Sequence, residues 1–211
     1  MKPRDLFLAG VQAHLIDPFR ERGFKFRRSR LDFIRLTPTG VYQTVSFQLS
    51  RWNREDDCEF WSSWGASAAA YADWFFEQWK QQPTSDFLGG LADWNIKGWS
   101  PSPGEHLQLR NRPADAEVWR AFLDSAVGVG FPFLERVSSW EGAAEQLRSE
   151  RWHFDRAADF LLIAGAPERA RAVLLEGINT FERDGRVDNF NELPRLKQRL
   201  ERYFGNGAHA T

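Results

Sequence analysis

The sequence has a single cysteine, Cys58, and a single methionine among its 211 residues. One cysteine excludes an intrachain disulfide and any metal site built from thiolates of this chain. No apolar run approaches the roughly 18 residues that a membrane-spanning helix requires. The opening stretch, MKPRDLFLAG, is too short and too interrupted for a secretory signal. We therefore expect a cytoplasmic protein without a membrane partner.

Patterns typical of catalytic and metal sites are also missing. The histidines are scattered and lack the His-x-x-x-His type of spacing found in metal sites; they are His14, His106, His153 and His209. The glycines at 128 and 130 are not followed by the Lys-Ser/Thr pair of a phosphate-binding loop. Cys58 has no recognisable histidine partner, so burial as a small apolar residue is favoured over a nucleophilic role. We predict no catalytic residue, no metal ion and no cofactor.

Aromatic residues, in contrast, are abundant. The chain has ten Trp and eighteen Phe, and six of the ten Trp lie between positions 61 and 99. One interpretation is that these rings fill the space between a sheet and a helix. The other is a partly exposed aromatic surface, because the indole nitrogen needs a polar partner and Trp is rarely buried completely. The candidate binding residues of that surface are Trp61, Trp64, Trp74 and Trp79.

Charge is distributed unevenly along the chain. Residues 1–54 have eleven Lys/Arg and four Asp/Glu, a net charge of +7, whereas the remainder has seventeen and twenty-five, a net charge of −8. Six cations fall within residues 20–30, where they either protect an edge strand from pairing or form an electrostatic footprint for nucleic acid or an acidic protein. The candidate basic and polar binding residues are Arg27, Arg28, Gln48 and Arg51. Alternatively, Gln48 and Arg51 belong to a solvated strand face.

Apolar periodicity predicts the order of the elements. Phe7, Val11, Leu15 and Phe19 recur every four residues, which predicts an N-terminal helix. Strand patterns follow around 24–27, 31–36, 41–50 and 58–64, and one further short strand is expected near 88–94 or 107–109. The rest is predicted to be mainly helical, with a helix pair joined at Gly165-Ala-Pro167. The sequence thus predicts an α+β fold, in which an N-terminal helix packs on a four- to five-stranded antiparallel sheet and a helical C-terminal part follows. We expect an α+β domain over 1–140 and a helical extension over 141–211 packed on it.

Several stretches resemble one known family. They are Leu15–Phe26 with its Arg22-Gly-Phe24 transition, Leu31–Leu36, Gln43–Arg51 and Phe60–Gly65. Over roughly residues 10–140 the chain is similar to the bacterial domain-of-unknown-function 4304 family. This resemblance implies an α+β fold in bacteria, and it implies no particular activity.

Three functions remain open at this point. The first is a non-enzymatic, immunity-type or regulatory protein that masks another protein, because aromatic residues exceed the needs of a core and charge is segregated. The second is nucleic-acid binding through the basic N-terminal sheet. The third is an enzyme whose site has no recognisable pattern. We expect a protein partner, with nucleic acid as the second candidate.

Overall fold

The computed structural model describes residues 1–100, 106–183, 188 and 191–205. The chain divides into two compact units. Unit 1 comprises residues 1–70 and 85–136, and unit 2 comprises residues 71–84 and 137–211. Residues 71–84, which we assigned from the sequence to the first domain, are therefore grouped with the C-terminal helices.

Unit 1 is built on an antiparallel sheet. Its strands are β1 Lys25–Arg27, β2 Asp32–Leu36, β3 Val41–Leu49, β4 Cys58–Ala68, β5 Phe87–Ala92 and β6 Leu107–Leu109. The first five strands are ordered β1-β2-β3-β4-β5, and β6 pairs with the first residues of β4. The predicted α+β class and the antiparallel meander are confirmed. Both segments proposed for a further strand form one, so the sheet has six strands rather than four or five.

Helices pack on one face of this sheet. They are α1 Pro3–His14, α2 Ile16–Glu21, α4 Asp115–Ser125 and α5 Phe131–Val137, with a π-helical turn at Ala126–Gly130. Helix α3, Ala69–Trp79, begins in unit 1 and belongs to unit 2 from Tyr71 onward. The ring of Phe7 on α1 lies 5.2 Å from that of Phe47 on β3 and 5.1 Å from that of Phe60 on β4. The predicted packing of the N-terminal helix on the sheet is thus confirmed, and aromatic rings form much of the core.

The strands β3 and β4 alternate strictly between two environments. Along β4 every second residue from Cys58 to Ala68 is buried, and the residues between them are partly exposed. Along β3 the side chains from Val41 to Phe47 alternate in the same way. Because successive side chains of a strand point to opposite faces, one face belongs to the core and the other is open. We call the second face the open face.

Unit 2 consists of helices α6 Trp140–Ser149, α7 Phe154–Ile163, α8 Pro167–Glu182 and α9 Glu192–Phe204, together with α3 from Tyr71 onward. The helix pair α7–α8 is joined at Gly165, which has a φ of 74°, as the sequence predicts. A Cβ at Gly177 would lie 2.8 Å from Phe154 and 2.9 Å from Leu196, so α8 packs closely on both α7 and α9.

A buried ion pair ties α7 to α9 in unit 2. Arg199 donates from Nε to Oδ1 of Asp159 at 2.9 Å and from Nη2 to Oδ2 at 2.8 Å. The Tyr71 hydroxyl donates to the same carboxylate at 3.0 Å. Both members of the ion pair are buried, so each charge depends on this geometry for compensation. The network connects α7 to α9 and to Tyr71 of α3.

Candidate functional site

The open face has an apolar row that crosses four strands. Leu36 on β2 pairs with Tyr42 on β3, Tyr42 pairs with Ser67 on β4, and Ser67 pairs with Phe87 on β5. Leu36 is 56% exposed, Tyr42 43% and Phe87 40%. Leu36 and Tyr42 lie side by side on adjacent strands, and Phe87 follows on the same line beyond the small side chain of Ser67. We call Leu36, Tyr42 and Phe87 the apolar row.

A groove lies beside the apolar row, over a pair of glycines. Gly65 on β4 is the register partner of Gly90 on β5, and a Cβ on either residue would meet the Phe87 ring within 2.8 Å. The aromatic ring therefore lies against backbone that has no side chain of its own, a known way of stabilising glycine in a strand. The cavity formed there has a volume of about 370 Å³. We call it the glycine groove.

The glycine groove is lined by hydroxyl groups and by no ionisable side chain. Besides Phe87 and the two glycines, its lining includes Ala92 and the hydroxyl-bearing residues Thr44, Ser46, Ser63 and Ser67. Among the described residues, none of these four hydroxyls forms a hydrogen bond with another protein group. A hydroxyl both donates and accepts, so the lining can bind an uncharged polar group in either role.

Charge on the open face is concentrated near the β1 edge. Arg27 donates from Nε to Oδ1 of Asp32 at 2.8 Å and from Nη2 to Oδ2 at 2.5 Å, which is a bidentate ion pair. The Asp32 carboxylate raises the pKa of the Arg27 guanidinium above its ordinary value. Arg27 is therefore compensated within the sheet and is less available to an external anion than the sequence alone indicates.

The other predicted basic and polar residues are exposed. Arg28 lies in the turn after β1, and its carbonyl oxygen accepts a hydrogen bond from Arg4 at 2.9 Å. Gln48 projects from β3 opposite Trp61. The Arg51 guanidinium lies 4.8 Å from the centre of the Trp52 ring. Gln48 and Arg51 are three residues apart at the end of β3, whereas Arg28 lies at the turn that follows β1.

The two predicted tryptophans of unit 1 have different environments. Trp64 is 1% exposed, and its Nε1 donates to the Ser62 hydroxyl at 2.9 Å. The expectation that Trp64 contributes to an exposed surface is therefore wrong: its indole nitrogen has a partner inside the core. Trp61 is partly exposed on the other face, where its ring contacts those of Trp94 at 6.1 Å and His106 at 4.8 Å.

The two predicted tryptophans of unit 2 are partly exposed and packed against α9. The centre of the Trp79 ring lies 5.2 Å from the Arg199 guanidinium and 4.6 Å from that of Arg202. Its Nε1 donates to the Tyr203 hydroxyl at 2.9 Å. The Trp74 ring lies 6.3 Å from that of Tyr203. Because Trp79 contacts Arg199, Arg202 and Tyr203, this ring contributes to the contact between α3 and α9.

Sequence reasoning did not identify the apolar row or Trp52. Trp52 is 74% exposed in the loop between β3 and β4. Tyr42 could have been found as an aromatic residue on the otherwise polar face of the third strand. The sequence around Leu36 and Phe87 has no pattern that predicts their role, because strand pairing alone places Leu36 next to Tyr42 and Phe87 over Gly65.

Groups that could perform chemistry are few in the described part of the chain. Cys58 is buried, and burial raises the pKa of its thiol to about 12, which opposes formation of a nucleophilic thiolate. Burial lowers the pKa of His153, while His209 lies outside the described residues. Within those residues no group of three His, Cys, Asp or Glu side chains is arranged to hold a metal ion.

No described helix combines the length and the apolar character needed to cross a membrane.

These features define an α+β protein with an antiparallel sheet, one face covered by helices and one open face that has an apolar row. Residues 15–90 match the family described as Domain of unknown function (DUF4304), which confirms the resemblance seen in the sequence. The match is shorter than the expected 10–140, yet it includes the whole apolar row and both glycines of the groove. Neither the curated proteins nor the solved structures contain a match to this chain.

Proposed function

We propose that this chain is a non-enzymatic protein that binds another protein through the open face of the unit 1 sheet. The apolar row carries the proposal. Large apolar side chains scattered singly over a surface are ordinary, whereas several exposed apolar side chains aligned on one face, here with only Ser67 between them, typically mark an interaction site. The row includes an aromatic residue at each of two positions, Tyr42 and Phe87, and aromatic anchors often dominate binding energy at protein interfaces.

The dimensions of the open face support a protein partner. Neighbouring strands lie about 4.8 Å apart, and nine residues of a strand extend about 30 Å. The strands β1 to β5 have three, five, nine, eleven and six residues, and together they present about 540 Å². This area suits a small protein interface, below the about 800 Å² that each partner contributes to a standard one.

Charge on the open face favours protein over nucleic acid. Nucleic-acid binding depends on Lys and Arg that neutralise phosphates. The residues of β3 and β4 on the open face include no cation, and Arg27 at the edge of this face is paired with Asp32. The exposed Arg28 and Arg51 are the groups on which the nucleic-acid alternative depends.

The proposal includes an immunity-type or regulatory role in a bacterial cytoplasm, in which this chain masks the surface of a partner. A binding protein of this kind needs a preformed complementary face and no reactive group. The neutral, hydroxyl-bearing centre with an apolar border is consistent with the mixed composition of non-obligate interfaces. The single buried cysteine agrees with a reducing compartment.

Capture experiments with charge substitutions test this function. Tagged wild-type chain and the Leu36→Glu and Tyr42→Glu variants would be used to capture proteins from a native lysate, with quantification by mass spectrometry. We expect one partner to be depleted at least about tenfold by either substitution, because a buried interface charge is costly. Leu175→Glu, at a similarly exposed position on α8, is the matched control and should retain the partner. Equal capture by all four proteins would contradict docking at the apolar row.

A further inference from the structure

A second cavity of unit 1 lies between α1 and the start of α4, among the helices that cover the sheet. Its volume is about 420 Å³, within the range of small-molecule pockets. The two helices line it with residues that have small side chains or none, which are Ala9, Gly10, Ala13 and Ala116. The most deeply buried residue of the lining is Trp119, which is 2% exposed. We call this cavity the α1–α4 cleft.

The indole N–H of Trp119 has no acceptor in the described part of the chain. The Trp119 ring stacks on Phe60 with the ring centres 5.1 Å apart, and its Nε1 edge lies against Gly10, where a Cβ would overlap Nε1. The Nε1 atom lacks a hydrogen bond to any described group, yet it is not sealed from solvent. The equally buried Trp64, in contrast, donates to the Ser62 hydroxyl. Because a buried indole N–H normally has a partner, this donor is open to a ligand in the cleft.

The charges around the cleft favour an anion. Among the described residues, the exposed Arg112 guanidinium and the His14 imidazole have no hydrogen-bond partner, and the imidazole lies at 15° to the Trp119 ring with the centres 6.3 Å apart. The Asp115 carboxylate of the lining already accepts hydrogen bonds from backbone amides at 3.0 to 3.3 Å. The Met1 amine is paired with a carboxylate at 2.7 Å. Trp119 and Arg112 therefore offer two donors, one of them charged, to a molecule that enters the cleft.

We propose that the α1–α4 cleft binds a small organic carboxylate with a planar apolar body. The carboxylate accepts hydrogen bonds from the Trp119 indole and the Arg112 guanidinium, and such charge-assisted bonds are about twice as strong as neutral ones. The apolar body packs on the small side chains of α1 and α4 and on the rings of Trp119 and His14. A single guanidinium compensates the one charge of a carboxylate, whereas a phosphate monoester carries about two. This site is separate from the open face and does not depend on the proposed function.

Titration with three small compounds, followed by NMR, tests the cleft. Phenylacetate has both a ring and a carboxylate, phenylacetamide replaces the carboxylate with a neutral amide, and acetate lacks the ring. The signals to follow are the indole N–H of Trp119 and the imidazole Cε1–H of His14. We expect phenylacetate to shift both signals with a dissociation constant of about 1 mM or less, at least about tenfold lower than for the other two compounds. Absence of saturation by about 10 mM phenylacetate, or equal responses to phenylacetate and phenylacetamide, overturns the proposal.

Two substitutions test the donors separately, with the His14 signal as the readout. Trp119→Phe removes the N–H and keeps an aromatic ring, and Arg112→Gln removes the charge at an exposed position. We expect each to raise the dissociation constant of phenylacetate about tenfold, as loss of a hydrogen bond to a charged group does. Arg120→Gln removes an exposed cation of α4 outside the lining and should leave the constant unchanged.

Wild-type affinity in a folded Trp119→Phe or in Arg112→Gln would place the ligand elsewhere and overturn the proposal. Circular dichroism shows whether each variant is folded. Should Trp119→Phe unfold, Arg112→Gln decides the question alone, because an exposed side chain contributes little to stability.

Discussion

The Phe87 ring lies directly over Gly65, so that a Cβ at position 65 would be 2.8 Å from Phe87 Cε2. This contact connects β4 to β5 on the open face and creates both the end of the apolar row and the wall of the glycine groove. The glycine groove therefore exists because β4 and β5 both have a glycine at one register position, Gly65 opposite Gly90.

Gly90→Ala should destabilise the protein. Its Cβ would lie 2.5 Å from the carbonyl oxygen of Trp64, a backbone atom that cannot move aside without disturbing the pairing of β4 and β5. We expect a loss of about 1–3 kcal/mol in the free energy of unfolding, measured by urea denaturation. Gly128→Ala is the matched control, because nothing lies within 4 Å of its Cβ. An equal loss for both variants would contradict the close packing at Gly90.

Leu174→Ala should be costly, whereas its neighbour should tolerate the same change. Leu174 on α8 is completely buried, and Leu175 is exposed. Truncation of a buried leucine leaves a cavity and typically costs about 2–5 kcal/mol. Leu175→Ala should cost less than about 1 kcal/mol, since a surface substitution removes few contacts. Thermal or urea unfolding measures both, and a loss below about half a kilocalorie for Leu174→Ala would place that face of α8 in solvent.

The stability of unit 2 should depend on the protonation of Glu192. The Glu192 carboxylate accepts hydrogen bonds from the Phe154 amide at 2.5 Å and the His153 amide at 3.1 Å, at the start of α7. Burial, with a further contribution from the nearby Asp155 carboxylate, raises the pKa of Glu192 from 4.5 to about 7. The folded state therefore binds this proton more tightly than the unfolded state.

The sign of the pH dependence follows from this linkage. Stabilisation by the raised pKa is complete below pH 4.5 and is lost as the pH rises towards 7. Glu192→Gln keeps one of the two acceptor oxygens and does not titrate, so its loss of one hydrogen bond is the same at every pH. We expect the difference in unfolding free energy between wild type and Glu192→Gln to change over this interval, with the wild type losing stability relative to the variant. A constant difference between pH 4 and pH 8 would show that Glu192 keeps an ordinary pKa.

Charge reversal at the basic strand separates the two leading functions. Wild-type chain should bind nucleic acid no more tightly than nonspecific proteins do, with a dissociation constant of about 10⁻⁴–10⁻⁶ M. Arg27→Glu should also destabilise the sheet, because a carboxylate would replace the partner of Asp32. Arg28→Glu is exposed and should leave stability unchanged, so it reports binding alone. Tight retention of a defined nucleic acid that weakens steeply with salt and with Arg28→Glu would favour the nucleic-acid alternative.

Part of this architecture was determined by the sequence alone. The four-residue recurrence of Phe7, Val11, Leu15 and Phe19 predicts a helix with one buried face, and alternation along β3 predicts a half-buried strand. These patterns are local, so they need no knowledge of the partners that bury them. The motifs from Leu15 to Gly65 likewise indicated the family that the match over residues 15–90 confirms.

Only the tertiary structure decided which aromatic rings are exposed. Trp64 and Trp61 are three residues apart on one strand, yet the first is in the core and the second is on the open face. The composition of the sequence does not distinguish a buried tryptophan from an exposed one, because burial depends on which face of the strand the helices cover. The apolar row depends on register in the same way, because Leu36, Tyr42 and Phe87 are distant in sequence and become neighbours only when four strands pair.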